Sequence, residues 1–270
     1  EEGFQKKVLT ASAPENFFWH STEAQGHVFI QEYGCSPTGI YVSKDLENWR
    51  RIASNVELDR HSRHFHSIAW DPCRNWLLAS LGDGCLARVV QSEDLGQSWK
   101  ILYRGAWQFI PIVACEDKVI FGMDSGIAKG GVGIFHPENC CWEFKFFKWL
   151  KGKSLSAQMC DLKLLNNSLW IAAFGVPQAI ALSRDLRTWY PVHIESYGGN
   201  FNFHMLIGET GNAVLCSTGN HLIAVGKDEL DLVVMSKNSI ASPYKAYKER
   251  LDGFIFILKR KIKNKRLGHD

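Results

Sequence analysis

Ser92-Glu93-Asp94-Leu95-Gly96-Gln97-Ser98-Trp99 is the stretch whose reading decides the fold. Serine, aspartate, glycine and tryptophan in this order and spacing close a β-turn that satisfies its own polar groups. The aspartate carboxylate takes backbone N–H groups, the glycine supplies a positive φ, and the tryptophan packs beneath. Shorter versions stand at Ser43-Lys44-Asp45…Trp49 and Ser183-Arg184-Asp185…Trp189, and a degenerate one ends at Trp142. A turn whose tryptophans fall at 49, 99, 142 and 189 has the period of a repeat protein.

Around these turns the apolar pattern falls into five units of four strands. The expected strands of the first unit are Phe17–Ala24, His27–Tyr33, Gly39–Ser43 and Trp49–Ala53, and of the second His64–Asp71, Trp76–Leu81, Leu86–Gln91 and Trp99–Tyr103. The third uses Gln108–Cys115, Val119–Met123, Gly131–Phe135 and Trp142–Phe147, and the fourth Gln158–Leu165, Leu169–Phe174, Ala179–Ser183 and Trp189–His193. Asn202–Ile207, Ala213–Ser217, Leu222–Val225 and Leu232–Met235 make the fifth. Four strands per repeat of this length describe blades, so the expectation is all-β: a five-bladed β-propeller over residues 1–240. A spare strand at Lys7–Thr10 would pair with the last blade and remove a free edge. A two-sheet sandwich is the plainer alternative.

Composition agrees. Ten tryptophans and 23 glycines in 270 residues suit a turn-rich β protein, and no apolar run is long enough for a membrane-spanning helix. The net charge of +3 is carried by the tail: residues 245–270 hold nine Lys/Arg against three acids, leaving 22 bases and 25 acids elsewhere. A near-neutral body gives no support for a nucleic-acid groove. Tyr247, Leu251, Phe254, Ile255, Leu258 and Ile262 lie at helical spacing with basic residues between them. Residues 241–270 therefore read as a basic amphipathic helix and tail, either on an anionic membrane surface or packed on the body. Eight cysteines lack CxxC spacing, and several sit in apolar strand patterns, so free thiols in a reducing, cytoplasmic compartment are favoured over disulfides. The first residue is glutamate, which leaves a leader removed upstream open.

The octapeptide resembles the Asp box of BNR-repeat, sialidase-like glycosyl-hydrolase propellers. The wider run Arg63-His64-Phe65-His66…Gly82-Asp83-Gly84…Ser92–Trp99, continued by Trp107-Gln108…Phe121-Gly122-Met123-Asp124, is similar to the same family. The resemblance implies a propeller with its glycan site on the face away from the Asp boxes. Sialidases add three arginines, an Arg-Ile-Pro element and a Tyr/Glu nucleophile pair. Here the nearest string is Phe109-Ile110-Pro111 without the arginine, so true sialidase activity is not expected.

Blade polarity selects the candidate residues. With the Asp-containing turns between third and fourth strands on one face, the loops from second to third strand and from blade to blade gather on the other. They carry Glu32, Tyr33, Asp83 and Asp124, with Arg63, His64, Trp107, Gln108 and Asn202. A glycoside hydrolase needs two carboxylates, for which Asp83 and Asp124 are the candidates, assisted by Arg63, His64 and His66. Each aspartate has the alternative of capping its own glycine-rich turn. A polysaccharide lyase would use His64, His66 or Tyr33 as base and Arg63 to neutralise a uronate. A glycan-binding module would keep the same mouth without catalysis. First strands place His20, His66 and His204 at one level, as ligands for a divalent metal, as substrate contacts, or as histidines bonded to carbonyls.

Overall fold

The computed structural model describes residues 12–35, 37–125, 130–149, 153–154, 157–166, 169–176, 178–196, 205–218 and 221–226. The expected strand Lys7–Thr10, Asn202, His204, the strand Leu232–Met235 and the basic helix of 241–270 lie outside them. Two compact units make up the chain, Glu1–Val119 and Ile120–Asp270.

In the first unit, β1 (Phe17–Ala24), β2 (His27–Tyr33), β3 (Gly39–Ser43) and β4 (Arg50–Ser54) form an antiparallel meander. A single helical turn, α1 (Asn55–Leu58), leads to a second meander of β5 (Phe65–Asp71), β6 (Trp76–Leu81), β7 (Ala87–Ser92) and β8 (Lys100–Gly105), and β9 (Phe109–Ala114) follows. Pairing in order is what short connections between antiparallel neighbours allow. The strands agree with expectation to within one or two residues. β7 is buried along its whole length, while β4 and β8 alternate or are exposed. Phe29, Ile40 and Val42 of the first sheet and Phe65, Ile68, Leu77, Ala79, Leu81 and Val90 of the second share one core. Removing such apolar surface from water is the main stabilising term, about 25 cal/mol per Å².

The second unit holds β10 (Val119–Ser125), β11 (Gly131–His136), β12 (Cys141–Phe146), β13 (Lys148–Trp149), β14 (Lys153–Ser154), β15 (Ala157–Asn166), β16 (Leu169–Val176), β17 (Gln178–Ser183) and β18 (Thr188–Ser196). They run in one sheet in the order β12-β11-β10-β15-β16-β17-β18-β13-β14. β19 (Met205–Glu209), β20 (Ala213–Ser217) and β21 (Leu222–Gly226) form a three-stranded sheet. Two features depart from separate four-stranded blades. The end of β10 pairs with the start of β15 through Asp124↔Gln158 and Ser125↔Ala157, and β13 runs parallel to β18. The core of this unit joins Leu169, Ile171, Ile180 and Leu182 to Val214, Cys216 and Val225, and Phe147, Phe174 and Trp189 make T-shaped ring contacts at 5.3–5.6 Å.

The repeated turns close as their sequence demands. Asp94 Oδ1 accepts from the Ser92 hydroxyl (2.7 Å) and the Ser98 N–H (2.8 Å), its Oδ2 from the Ser98 hydroxyl (2.6 Å), and Trp99 Nε1–H donates to Gly96 O (3.2 Å). Asp45 accepts from Glu47 N and Asn48 N, and Asp185 from Arg187 N and Thr188 N, at 2.6–2.9 Å. Leucine follows each aspartate with φ of 56–61° (Leu46, Leu95 and Leu186), a left-handed position filled by a side chain that expectation had reserved for glycine. Gly96 follows at φ 89°, where a Cβ would lie 2.4 Å from Ile52 Cδ1.

Candidate functional site

In the second meander, an antiparallel arrangement places the β7–β8 turn at one end and the β6–β7 loop at the other. Gly82-Asp83-Gly84 forms that far loop, and its position is fixed by backbone. Gly82 N donates to His64 O (2.8 Å) and the Ser62 hydroxyl to Leu86 O (3.0 Å). Gly82 sits at φ +84°, with Leu86 O only 2.2 Å from where a Cβ would be. Asp83 makes no side-chain bond to the turn it opens. Its carboxylate turns instead toward β5.

His64 immediately precedes β5 and His66 is its second residue, at an irregularity in the β5–β6 register, and their rings stand 4.8 Å apart. His66 Nε2 lies 3.1 Å and His64 Nε2 3.4 Å from Asp83 Oδ1. Gln108 Nε2 donates to the same oxygen at 2.7 Å, and Arg63 Nη1 stands 3.5 Å from Oδ2. The two imidazoles are buried, with 4% and 3% of their side-chain surface exposed, whereas Asp83 is 35% and Arg63 65% exposed. A reachable carboxylate and guanidinium thus stand in front of buried rings. Burial would raise the Asp83 carboxyl, but hydrogen bonds and charge from His64 and His66 outweigh it and hold the group well below the usual carboxylate range.

Support comes from groups the sequence did not single out. Asn55 Nδ2 donates to Ser62 O (2.6 Å) and Arg63 O (3.0 Å) while its Oδ1 accepts from Thr38 N (2.7 Å), clamping the loop that carries Arg63. The same loop is anchored by the Asp59–Arg88 ion pair at 2.7 Å. His64 Nδ1–H donates to Gly34 O at 2.7 Å, which fixes that ring. Nothing in sequence periodicity reveals a carbonyl acceptor such as Gly34, since the signal lies in chain geometry alone. Asn55 could have been found as a polar residue following a capping serine.

An aromatic group adjoins the polar one. The Tyr33 ring is 4.2 Å from His64 and 5.7 Å from His66, and Trp19 and Phe17 lie 4.8 Å and 5.3 Å from Tyr33. Phe17 is 48% exposed. Trp107, also half-buried, precedes Gln108 and donates its backbone N–H to the Tyr103 hydroxyl.

The remaining candidates fall elsewhere. Glu32 is buried with both oxygens used: Oε1 accepts from Ala13 N and Asn16 Nδ2, and Oε2 from Gly39 N. It fastens two loops and is withdrawn from ligand contact. His20 Nδ1–H donates to the backbone carbonyl of His66 (3.1 Å) rather than sharing a ligand with its ring, and burial pushes the His20 imidazole down to about 4 against that bond. Of the expected set His20, His66 and His204, the last lies outside the described residues; among the described residues His66 is grouped with His64 and Asp83, donor atoms of the three lying within 4.8 Å of one another. Asp124 is a half-buried residue of β10 in the second unit. That unit brings together a second set, His193, Glu195 and His221, with His221 Nδ1 2.9 Å and His193 Nε2 3.8 Å from Glu195 Oε1.

No family model matches the chain and no curated protein is similar to it at a meaningful level. Solved structures are similar. A chain of a nidogen/laminin complex aligns with a TM-score of 0.58 at 12% identity over 82% of this chain and 78% of that one. The extracellular domain of a hybrid two-component system from B. thetaiotaomicron aligns at 0.54 and 8% identity, over 76% of this chain and 26% of that one. A GH74 xyloglucanase from Xanthomonas campestris aligns at 0.53 and 13% identity, over 73% and 34%. The chain therefore spans about a quarter to a third of the length of the last two. These neighbours are of β-propeller type, and at this identity the likeness is one of fold: the protein is nearly all β, with mainly antiparallel strand pairing.

Proposed function

We propose that the protein is a carbohydrate-active propeller that takes a glycan at the Asp83 loop of its first unit. The observation that carries this reading is a one-third exposed carboxylate whose Oδ1 is held by Gln108 and His66 while Oδ2 faces Arg63, beside the Phe17–Trp19–Tyr33 ring cluster. Sugars need this mixture: hydroxyls pair with fixed charged groups, and the C–H faces of the ring stack on aromatic side chains. Asp83 is free of turn capping, and its loop lies at the end opposite the Asp94 turn, as the Asp-box resemblance requires. The three Asp-centred turns also support a place among BNR-repeat propellers. The xyloglucanase neighbour is consistent with a polysaccharide or oligosaccharide partner, through fold alone.

Hydrolysis is the finer form of the reading, with Asp83 as a catalytic carboxylate and Arg63, His64 and His66 assisting. Glu32 is left out because its oxygens are spent. The propeller body is assigned to residues 1–240, and membrane contact to the basic segment 241–270.

The test is a panel of oligosaccharides and polysaccharides assayed in parallel for binding and for cleavage. Saturable binding in the wild type should weaken at least about 10-fold in Asp83→Asn and in Tyr33→Ala, the scale of one lost charge-assisted hydrogen bond or stacking contact. Reducing ends released by the wild type and lost in Asp83→Asn identify a hydrolase, and an unsaturated uronate product identifies a lyase. Binding to no member of the panel, or binding indifferent to Asp83→Asn, overturns the glycan site.

A further inference from the structure

We infer that His64, His66 and Asp83 form a three-ligand site for a divalent transition-metal ion, of the nitrogen- and oxygen-binding kind typified by zinc. The inference concerns the same side chains as the glycan reading yet stands on ligand geometry alone.

His64 Nδ1 faces the Gly34 carbonyl at 2.7 Å, a contact that requires the proton on Nδ1. In that tautomer Nε2 presents a lone pair to the buried interior, where it has no hydrogen-bond partner. The atom it approaches, at 3.4 Å, is a carboxylate oxygen, which also has only lone pairs to offer. Two acceptors aimed at each other across that distance in a buried place are unfavourable unless a second proton on the ring or a metal cation lies between them, and the two imidazoles converging on one carboxylate give a cation three ligands. Tetrahedral coordination with bonds of about 2.0–2.1 Å sets neighbouring donor atoms about 3.3–3.4 Å apart. The two edges that meet at Asp83 are 3.4 Å and 3.1 Å, and all three donors lie within 4.8 Å of one another. Two edges therefore match that spacing, and the third, between the imidazoles, is at most 4.8 Å and closes by rotation of the rings.

Surroundings fit as well. Gly34 O fixes the His64 ring through its far nitrogen, and Gln108 Nε2 donates to Asp83 Oδ1 at 2.7 Å, outer contacts of the kind that orient metal ligands. Three protein ligands leave a fourth position, and Asp83, the exposed member, opens it to solvent. A ligand hydroxyl or a water would complete the shell there. Two imidazoles and one carboxylate suit zinc, cobalt or iron(II) better than calcium or magnesium, which prefer an all-oxygen cage.

The experiment begins with full-length protein stripped by a chelator and then titrated with Zn²⁺ by calorimetry and with Co²⁺ by visible absorption. One saturable equivalent is expected, with Co²⁺ giving the intense d–d bands of a four-coordinate nitrogen/oxygen site. His64→Ala and Asp83→Asn, each checked for native circular dichroism, should weaken Zn²⁺ binding by more than about 100-fold, beyond what loss of an outer contact costs. His221→Ala, in the second histidine–carboxylate group, should leave this equivalent in place. The inference is overturned by a wild type that binds no ion saturably, by an equivalent that survives in both His64→Ala and Asp83→Asn, or by one that only His221→Ala removes. Glycan binding measured in chelator keeps the two readings apart: a glycan that still binds while no metal does removes the ion and leaves the glycan site.

Discussion

At the scale of single residues, chemistry and architecture use aspartate in opposite ways. Asp94 is spent on its own turn, while Asp83 opens a turn and gives it nothing. Asp94 should therefore matter to stability and not to ligand. Hydrogen bonds from the Ser98 hydroxyl, the Ser98 N–H and the Ser92 hydroxyl lower its carboxyl from 3.8 to about 2. A depressed folded-state value contributes stability that is complete above about pH 4 and disappears as pH falls through 2. Asp94→Ala is expected to cost about 1 kcal/mol at neutral pH, as for other capping side chains, with glycan binding unchanged. Thermal unfolding of variant and wild type at pH 7, 4 and 2 checks this: the gap should narrow across the last step, and a gap constant to pH 2 refutes the role. Asp83, Arg63, His64 and Gln108 were legible in the sequence because loop polarity follows from strand order. The histidine partnership was legible only in part. Counting levels along first strands joined His66 to His20, whereas the entry into β5, with its irregular register at Phe65–Ser67, brings it to His64. A bulge of that kind leaves no periodicity from which the pair could be read.

At the scale of elements, the loop that presents Asp83 is held by two glycines with different duties. Gly82 has φ +84° and no room, with Leu86 O 2.2 Å and Ser62 Oγ 2.8 Å from a would-be Cβ. Gly84 has φ +56° and open space around it. Gly84→Ala should carry only the left-handed penalty, about 1–2 kcal/mol, and keep the site. Gly82→Ala adds a backbone clash that must push the loop off β5, breaking the Gly82 N to His64 O bond and displacing Asp83. It should lower the unfolding midpoint further and weaken glycan binding to the level of Asp83→Asn. Equal effects of the two substitutions would show that the clash is absorbed without moving Asp83. The strands themselves were readable because β-branched and aromatic runs end at turn residues, as at β2 and β6, whose bounds match expectation. The pairing of β10 with β15 and the short β13 and β14 were not: two-residue pairings leave no periodicity to detect.

At the scale of the whole molecule, repeat period and composition led to the all-β, propeller-like fold, and burial decides what the cysteines do within it. All eight are free. The sequence placed several in apolar strands, yet only Cys160 and Cys216 are buried, while Cys35, Cys73, Cys85, Cys140 and Cys141 are exposed and Cys115 is intermediate. The difference arises at strand ends, since Cys141 opens β12 and Cys115 follows β9, where an apolar run stops covering its last residue. Cys216 is the opposite case, packed in the core of the second unit with its thiol pushed up to about 11 by burial and by the Asp161 charge. Alkylation follows the thiolate and its access. Iodoacetamide at pH 8, followed by intact mass and peptide mapping, should add five adducts rapidly, Cys115 more slowly, and Cys160 and Cys216 only when denaturant opens the second unit. Cys216 reacting in native buffer at the rate of Cys85 would mean that β20 and its neighbours do not close over it, and would remove the packing that joins β16 and β17 to the three-stranded sheet.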